Sequence, residues 1–392
     1  MQRRVALVFG TRPEAIKMAP LIREFGAHGD FEPLVVSTGQ HSDLLDQVLH
    51  EFGVRPDVEL RVKRTRQTLA ELTAGVISGV DTMLEEHRPH AVLVHGDTTT
   101  TLGASLASYY RTVPLVHVEA GLRSGNRWAP FPEEVNRRIT SLVTDLHLAP
   151  TPQARQNLLA EGVNEQSVVV TGNTVIDAMR AMLDSSPADH GDPGPAALAG
   201  DPRRMLLFTL HRREAWGSSM TRIAQGVVEA ADAHPDMVVV ACVHPNPAVR
   251  AALLPALRGR HNVIVTDPQP YRSFLRLIRR AHAVVTDSGG VQEESTGLGR
   301  PVLVLREVTE RQEGVRAGGV RLIGTDKEAV RAAITELWSD PGRHARMSEA
   351  ISPYGDGRAA GRCVAAVARM LGLTDAAVQP YEPDLRIGEA VQ

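Results

Sequence analysis

Short apolar runs alternate with amphipathic segments along the whole chain. The runs are rich in Val and Leu, as is typical of strands that a parallel sheet buries on both faces. Strands are predicted at 5–9, 34–37, 91–94, 115–118, 146–149, 168–170, 206–210, 238–241, 263–265, 283–286, 302–305 and 321–323. Helices are predicted between them, including 14–27, 69–87, 99–111, 221–234, 272–280 and 328–339. Strands that alternate with helices predict a parallel α/β fold.

The pattern is interrupted once, by a segment rich in Pro, Gly, Ala and Asp at 184–204. The strand-to-helix pattern then restarts, and 392 residues are enough for two domains. We therefore predict two doubly wound, Rossmann-like α/β domains that face a cleft, at 1–172 and 173–360. A late helix at 361–371 has no obvious sheet, and the polar tail from 375 is predicted to be mobile.

Composition narrows the class of protein. A hydrophobic content of 43% and a charged content of 23% are ordinary for a globular protein, and the formal charge of −3 gives no general attraction to nucleic acid. Cys242 and Cys363 each precede a valine, which favours buried thiols over a disulfide framework. The first apolar run is too short for a signal sequence, and no run reaches the length of a membrane-spanning helix. We expect a soluble cytoplasmic protein with no nucleic-acid or membrane partner.

One strand-to-helix turn suits an anionic ligand. An apolar strand (283–286) is followed by Ser288, Gly289 and Gly290, and then by a predicted helix (291–298). The first N–H groups of a helix point outward with the positive end of the helix dipole behind them, so such a turn suits a phosphate. A plain glycine turn is the alternative, because such turns are common in α/β proteins.

Two cations follow the first predicted strand. Gly10 ends this strand and Pro13 suits a first helical turn, so Arg12 and Lys17 are expected near the strand end. Two cations beside a helix N-terminus fit a diphosphate. The alternative is a capping loop with solvated charges.

Three carboxylates are predicted at the carboxyl ends of neighbouring strands and in the loop that follows. Asp97 and Glu119 each follow a strand, and Glu133 begins a helix after a proline-containing loop. Carboxylates that crowd one edge are suited to acid–base chemistry. Asp97 can instead cap a helix, and Glu133 can complement a helix dipole. A metal site that also includes His95 and His117 is not required by the spacing, and we predict none.

Polar residues also follow strands in the second half. His211 begins a polar run, H-R-R-E, at the end of one strand, and His244 ends the next in H-P-N-P. Arg311 follows a later strand and could reach a phosphate or a ribose. A lone histidine is more often structural, but the polar run at a strand end favours a functional His211.

Together these motifs resemble one known family, the non-hydrolysing UDP-N-acetylglucosamine 2-epimerases. The likeness extends from about residue 5 to about residue 371. The motifs occur in one order: G-T-R-P-E-A-I-K-M-A-P, H-G-D-T, H-V-E-A-G-L-R-S-G, P-F-P-E-E-x-N-R, T-G-N-T-V-I-D-A, H-R-R-E, H-P-N-P, D-S-G-G-V-Q-E-E and T-E-R. The resemblance implies the two-domain architecture of type B glycosyltransferases, with a final helix that returns to the first domain.

The resemblance also implies roles for individual residues. The diphosphate of UDP would be bound by Arg12, Lys17, Ser288, Gly289, Gly290 and Arg311. Glu294 would bind the ribose hydroxyls. The catalytic residues would be Asp97, Glu119, Glu133 and His211. No cofactor is implied, and a homodimer is expected.

Many bacterial members of this family have a second, activating substrate site. Gln40, Arg66 and His244 match positions linked with that site. Asp43 departs from the longer polar residue that is usual there, and an acid beside a bound diphosphate would repel it. Activation by substrate therefore stays open for this chain.

The implied reaction interconverts UDP-N-acetylglucosamine and UDP-N-acetylmannosamine. The family eliminates UDP to give a 2-acetamidoglucal and adds it back after inversion at carbon 2. Three other enzyme functions remain open: a hydrolysing epimerase, a glycosyltransferase of the same fold, and an epimerase for a modified UDP-N-acetyl sugar. A non-catalytic UDP-sugar sensor is the alternative from another class.

Overall fold

The computed structural model of the chain describes residues 2–39, 42–62, 68–184, 198, 200–211, 217–350 and 352–383. Residue contacts divide the chain into two compact units. The first comprises Met1–Asp184 and Tyr354–Pro383, and the second extends from Ser185 to Pro353. Each unit contains its own parallel sheet with flanking helices, which confirms the predicted α/β class with two doubly wound, Rossmann-like domains.

The first unit is built on one parallel sheet. Its strands are β1 (Arg3–Phe9), β2 (Phe31–Ser37), β3 (Val58–Glu59), β4 (Ala91–His95), β5 (Leu115–Val118), β6 (Leu146–Ala149) and β7 (Val168–Val170). Its helices are α1 (Arg12–Ala27), α2 (Ser42–Phe52), α3 (Leu69–His87), α4 (Thr99–Tyr110), α5 (Glu133–Leu142), α6 (Pro152–Ala160), α7 (Thr174–Asp184) and α15 (Ala359–Met370). The strand order in the described part is β3-β2-β1-β4-β5-β6-β7.

The second unit repeats the same winding. Its strands are β8 (Arg204–Leu210), β9 (Met237–Val243), β10 (Val263–Thr266), β11 (Ala283–Thr286), β12 (Val302–Val304) and β13 (Val320–Leu322). Its helices are α8 (Ser218–Ala233), α9 (Pro247–Leu257), α10 (Tyr271–Arg280), α11 (Gly289–Gly297), α12 (Gln312–Arg316), α13 (Lys327–Ser339) and α14 (Pro341–Glu349). The strand order is β10-β9-β8-β11-β12-β13.

Helices cover both faces of the first sheet, which explains why its strands are apolar without alternation. Ala6 and Val8 of β1 belong to one buried cluster with apolar residues of α3 and α4. Val5 and Leu7 are buried as well, and they point to the opposite face because side chains alternate along a strand. There α1 packs with α2, α7 and α15. All residues of β4 and β5 are buried as a result.

In each sheet the strand order reverses at one place, between β1 and β4 in the first unit and between β8 and β11 in the second. Ligands of doubly wound sheets bind beyond the carboxyl ends of the strands at this reversal. The segments there begin at Gly10 and Gly96 in the first unit, and at His211 and Asp287 in the second.

Two predictions about the organisation of the chain differ from the structure, and one short strand was not predicted. α7 belongs to the first unit because it packs on α1 and α15, so the predicted boundary at 172 lies too early. The tail predicted to be mobile from 375 is bound as far as Tyr381, which is 5% exposed and whose backbone N–H donates to the Val170 carbonyl oxygen at 2.8 Å. The two-residue strand β3 was not predicted, because it has no apolar run of its own.

Candidate active site

Glu14 organises the turn between β1 and α1. Its side chain is buried, at 2% exposure. Oε2 accepts from the backbone N–H groups of Gly10 at 3.0 Å and Thr11 at 2.8 Å, and Oε1 accepts from the Thr98 hydroxyl at 2.6 Å. Burial raises the pKa of Glu14, against the lowering effect of these hydrogen bonds. The carboxyl group thus fastens the first turn to the start of α4.

The two predicted cations of this turn differ in their surroundings. Arg12 is the first residue of α1 and is partly buried. Lys17 lies farther along the buried face of the same helix, and its ammonium group forms an ion pair with Glu119 Oε2. The side chains of Lys17 and Glu119 are 5% and 7% exposed. Lys17, predicted to bind the diphosphate, therefore supports a carboxylate of the first unit in this structure.

Glu119 is held in an unusual backbone conformation directly after β5. Its φ is 62°, in the left-handed region that non-glycine residues rarely adopt. Its Oε2 also accepts from the Asn173 side-chain amide at 2.7 Å, and His95 Nε2 lies 3.7 Å away. Backbone strain of this kind persists where neighbouring contacts determine the conformation, and it is frequent at functional sites.

Asp97 lies after β4, at the neighbouring strand end. Its carboxylate forms an ion pair with Arg137 of α5. The Asn136 side-chain amide donates to the Asp97 carbonyl oxygen at 2.9 Å, and Arg137 also donates to the buried Glu134 at 3.0 Å. The side chain of Asp97 is thus oriented by the first turns of α5. Neither Arg137 nor Glu134 was predicted as a site residue.

Glu133 is the first residue of α5 and is partly buried. Arg137 follows it by one helical turn, so Glu133 lies on the same side of α5 as the partner of Asp97. Glu134 accepts from the backbone N–H groups of Ser124 at 3.0 Å and Gly125 at 3.3 Å, which fastens the preceding loop to the helix.

Two buried histidines lie on neighbouring strands, β5 and β6. His117 on β5 donates from Nε2 to the Gly96 carbonyl oxygen at 2.7 Å, since a carbonyl can only accept. Burial lowers the pKa of His117 to about 3 and that of His147 on β6 to about 4. Both rings are therefore neutral at neutral pH. Among the described residues, no group of three or more His, Cys, Asp or Glu side chains is arranged to hold a metal ion.

In the second unit, His211 and Asp287 form a pair across the strand reversal. The His211 backbone N–H donates to Asp287 Oδ2 at 2.9 Å, and His211 Nδ1 lies 3.0 Å from Asp287 Oδ1. Asp287 is buried, whereas the His211 side chain is 41% exposed. A buried carboxylate at Nδ1 orients the imidazole and leaves Nε2 on the other side of the ring.

The predicted phosphate turn forms the N-terminus of α11. Ser288 is the N-cap residue, and its backbone N–H donates to the Thr286 hydroxyl at 3.0 Å. A Cβ added to Gly289 would lie 2.4 Å from Cζ of Arg311, whereas one added to Gly290 would meet nothing within 4 Å. Gly289 is therefore required for contact with Arg311, and Gly290 faces open space.

Arg311 is buried beneath this turn. Its Nε donates to Glu293 Oε1 at 2.9 Å, its Nη1 pairs with Glu310, and its backbone N–H donates to the Thr309 hydroxyl at 3.1 Å. Arg311 is 6% exposed. Glu294, the predicted ribose ligand, is buried in α11 beside Glu293.

The residues matched to a second substrate site are only partly described. His244 Nδ1 accepts from the Asn246 backbone N–H at 3.2 Å, and its ring lies 6.1 Å from that of His211 at an interplanar angle of 19°. Gln40, Arg66 and the side chain of Asp43 lie outside the described residues.

The structure thus collects Arg12, Lys17, Asp97, Glu119 and Glu133 at one edge of the first unit. It collects His211, Ser288, Gly289, Gly290 and Arg311 at the equivalent edge of the second. Sequence reasoning missed the residues that orient these groups, namely Glu14, Asn173 and Arg137. All three occur in motifs quoted above, G-T-R-P-E-A-I-K-M-A-P, T-G-N-T-V-I-D-A and P-F-P-E-E-x-N-R, but the letters alone do not show what each side chain contacts.

A family profile and a sequence relative cover nearly the whole chain. Residues 23–368 match the profile of the family described as UDP-N-acetylglucosamine 2-epimerase. A protein of Ralstonia nicotianae, named probable UDP-N-acetylglucosamine 2-epimerase, is 47% identical over 370 residues. The alignment covers 93% of this chain and 98% of that relative.

Solved structures are similar over the same length. The S. aureus MnaA-UDP co-structure aligns with a TM-score of 0.92 at 40% identity, over 97% of this chain and 100% of that one. The UDP-GlcNAc 2-epimerase from Neisseria meningitidis bound to UDP-GlcNAc aligns with a TM-score of 0.91 at 41% identity, over 93% and 100% of the two chains. Within the described residues, none of the helices combines the length and apolar character needed to cross a bilayer.

Proposed function

The chain belongs to the UDP-N-acetylglucosamine 2-epimerase family, and we propose that it is an isomerase that inverts carbon 2 of UDP-N-acetylglucosamine. The product is UDP-N-acetylmannosamine, formed without net hydrolysis. Two of the similar solved structures are complexes, one with UDP and one with UDP-GlcNAc, and they support a UDP-sugar as the substrate.

One observation carries the proposal beyond family membership. Two carboxylates, Asp97 and Glu119, follow adjacent strands, and each is paired with its own buried cation, Arg137 and Lys17 respectively. Fixed partners orient a carboxylate before substrate binds, so little reorganisation is needed during the reaction. This arrangement favours a catalytic role over a purely structural one.

Inversion at carbon 2 is difficult because its C–H bond is hardly acidic and no neighbouring carbonyl stabilises a carbanion. We propose that UDP departs by anti-elimination to leave a 2-acetamidoglucal, and that UDP adds back after a proton reaches the opposite face. This sequence needs proton-transfer groups on both sides of the sugar ring. Asp97, Glu119 and Glu133 are the side chains that we assign to this task.

The departing diphosphate gains charge as the bond to the sugar breaks. We assign its stabilisation to the N-terminal turn of α11 at Ser288, Gly289 and Gly290, together with Arg12 and His211. Backbone N–H groups and fixed cations directed at a developing negative charge are among the largest contributions to catalysis. Arg311 supports the turn from below through its contact with Gly289, and Glu294 is assigned to the ribose.

Incubation with UDP-N-acetylglucosamine in D₂O tests the function, with NMR as the readout. We expect UDP-N-acetylmannosamine to appear and deuterium to enter carbon 2 of both sugars. The Asp97→Asn variant should lose this exchange, whereas Asp81→Asn should keep it, since Asp81 pairs with Arg111 on the surface of α3. Free UDP with N-acetylmannosamine would instead identify a hydrolysing enzyme, and binding without exchange would identify a sensor.

The activating site, the homodimer and the cytoplasmic location remain predictions from the sequence. Of the residues matched to the activating site, His244 stacks beside His211. A ligand bound at His244 would therefore lie next to the proposed diphosphate site. Initial rates that rise in a sigmoidal way with UDP-N-acetylglucosamine concentration would support activation, and hyperbolic rates would exclude it.

A further inference from the structure

We propose that Asn173 is a positioning residue that fixes the carboxylate of Glu119 for proton transfer, an inference that rests on the proposed function. Asn173 belongs to the T-G-N-T motif, to which no role has been assigned above. It lies between β7 and α7, at the same edge of the sheet as Glu119, and is 2% exposed.

The orientation of the Asn173 amide is set by its own helix. Oδ1 accepts from the Val175 backbone N–H at 3.1 Å, in the first turn of α7. Because this hydrogen bond uses the oxygen, the nitrogen Nδ2 is directed to the other side, where it donates to Glu119 Oε2 at 2.7 Å. The α7 cap and the Glu119 contact therefore depend on one side-chain conformation.

The backbone of Asn173 is fixed as well. Its N–H donates to the Tyr354 carbonyl oxygen at 2.6 Å, and Tyr354 is buried. A buried side chain whose backbone is also hydrogen-bonded has little conformational freedom. Its amide nitrogen is therefore at a well-defined position from which it can orient a carboxylate.

Glu119 needs such a point because its backbone is in the left-handed region at φ 62°. Its ionisable neighbours are Lys17 on α1, which pairs with Oε2, and His95 on β4, whose Nε2 lies 3.7 Å from the same oxygen. The Asn173 amide stays neutral at every pH, so it orients Oε2 throughout the reaction without altering the charge at the site.

The Asn173→Asp variant tests this role with little change in shape. Asp keeps the oxygen that accepts from Val175, so the helix cap is retained, but it replaces the donor to Glu119 by a second carboxylate. We expect kcat to fall by on the order of 10-fold to 100-fold while KM and the Kd of UDP change by less than about 3-fold.

The pH profile separates positioning from a merely structural effect. Two adjacent carboxylates repel each other, so one of the pair takes up a proton more readily than an isolated carboxylate does. A protonated Asp at position 173 can again donate to Glu119. We therefore expect the activity of Asn173→Asp, relative to wild type, to recover as the pH falls. Asn173→Ala offers no donor at any pH, so its relative activity should stay low throughout.

The matched control is Asn262→Asp in the second unit. Asn262 is 2% exposed and its amide donates to Asp232 Oδ1 at 3.2 Å, so the substitution also places a second carboxylate beside an existing one, within the unit that does not contain Glu119. We expect kcat and its pH profile to match wild type in this variant.

Three results would overturn one or both proposals. If the wild-type enzyme turns over substrate and both Asn173→Asp and Asn173→Ala have the same kcat as wild type, the positioning role alone is overturned. An equal loss of activity at every pH in both variants, with a raised Kd for UDP, would reduce the role of Asn173 to folding. Absence of turnover and of exchange at carbon 2 in wild type would overturn the proposed function together with this role.

Discussion

The turn after β1 in the first unit and the turn after β11 in the second both lie at the strand reversal of their own sheet, yet they are built in opposite ways. In the first, Glu14 accepts from the N–H groups of Gly10 and Thr11, so a side chain of the protein itself occupies the backbone donors that lead into α1. In the second, the first turn of α11 contains no acidic residue and Gly290 faces open space.

This difference shows that a shared fold does not give two equal anion sites. A helix N-terminus attracts an anion only where its N–H groups are not already bonded to a side chain. The first turn can therefore contribute a cationic side chain, Arg12, whereas the second can contribute the backbone itself. Four predictions, given in order of decreasing expected effect, test this difference between the two units.

The largest effect is expected at Gly289. In Gly289→Ala the new Cβ would lie 2.4 Å from Cζ and Nη1 of Arg311, which is held by Glu293 and Glu310. Displacing a buried, paired guanidinium should lower the free energy of unfolding by about 3 kcal/mol. Urea unfolding followed by circular dichroism measures this change.

Gly290→Ala is the matched control for folding. A Cβ there meets nothing within 4 Å, and alanine is favoured over glycine inside a helix by up to about 1 kcal/mol. The variant should unfold no earlier than wild type but bind UDP at least about 10-fold more weakly, because the methyl group covers the backbone where the anion would approach. If Gly290→Ala binds UDP with wild-type affinity, the backbone of this turn does not bind the diphosphate.

Lowering the pH should reduce the free energy of unfolding through a buried histidine in each unit, and by different amounts. His147 has a pKa of about 4 in the first unit, and burial with neighbouring positive charge lowers the pKa of the half-buried His282 in the second unit to about 4 as well. Each group has a folded pKa below its unfolded value of 6.5, so the folded protein binds fewer protons. Its stabilising contribution is complete above pH 6.5 and is lost as the pH falls toward 4.

The contribution of His147 should be about 3 kcal/mol, and that of His282 nearer 1 kcal/mol because solvent reaches its ring. Between pH 7 and pH 4 the free energy of unfolding should decrease less in His147→Gln than in His282→Gln. The same slope in both variants and wild type would contradict this prediction.

The third prediction concerns turnover. Arg12→Ala in the first unit and His211→Ala in the second should each lower kcat by roughly 10²-fold, the usual scale for one electrostatic contact in the transition state. Arg4→Ala is the control, since Arg4 pairs with Glu32 on the exposed end of β1. Near-normal turnover in both site variants would count against the assigned diphosphate position.

The smallest effect is expected for Glu14→Gln. In this variant an NH₂ group replaces one of the two carboxylate oxygens that accept from Gly10, Thr11 and Thr98. One or more buried hydrogen bonds are lost, which should lower the free energy of unfolding by about 2 kcal/mol. The exposed Glu32→Gln should change the free energy of unfolding by less than about 0.5 kcal/mol. If the two variants unfold alike, Glu14 does not hold the first turn.

The sequence predicted the elements of both units better than it predicted their contacts. β5, β6, β7 and β11 have the bounds expected from their apolar runs, because burial on both faces leaves a local signal. The ion pair of Lys17 with Glu119 joins residues 102 positions apart, and the Asn173 contact spans 54. No local periodicity encodes such partners, so the positions of candidate site residues were predictable but the groups that orient them were not.

The return of the chain to its first unit has a consequence for synthesis. α15 and the segment that ends near Tyr381 complete the first unit, although they are synthesised after all the described elements of the second unit. The second unit, whose described elements are contiguous in sequence, can fold while translation continues. Until then the first unit lacks the cover that α15 gives to α1 and α7, so we expect this half of the newly made polypeptide to expose apolar surface for longer than the other.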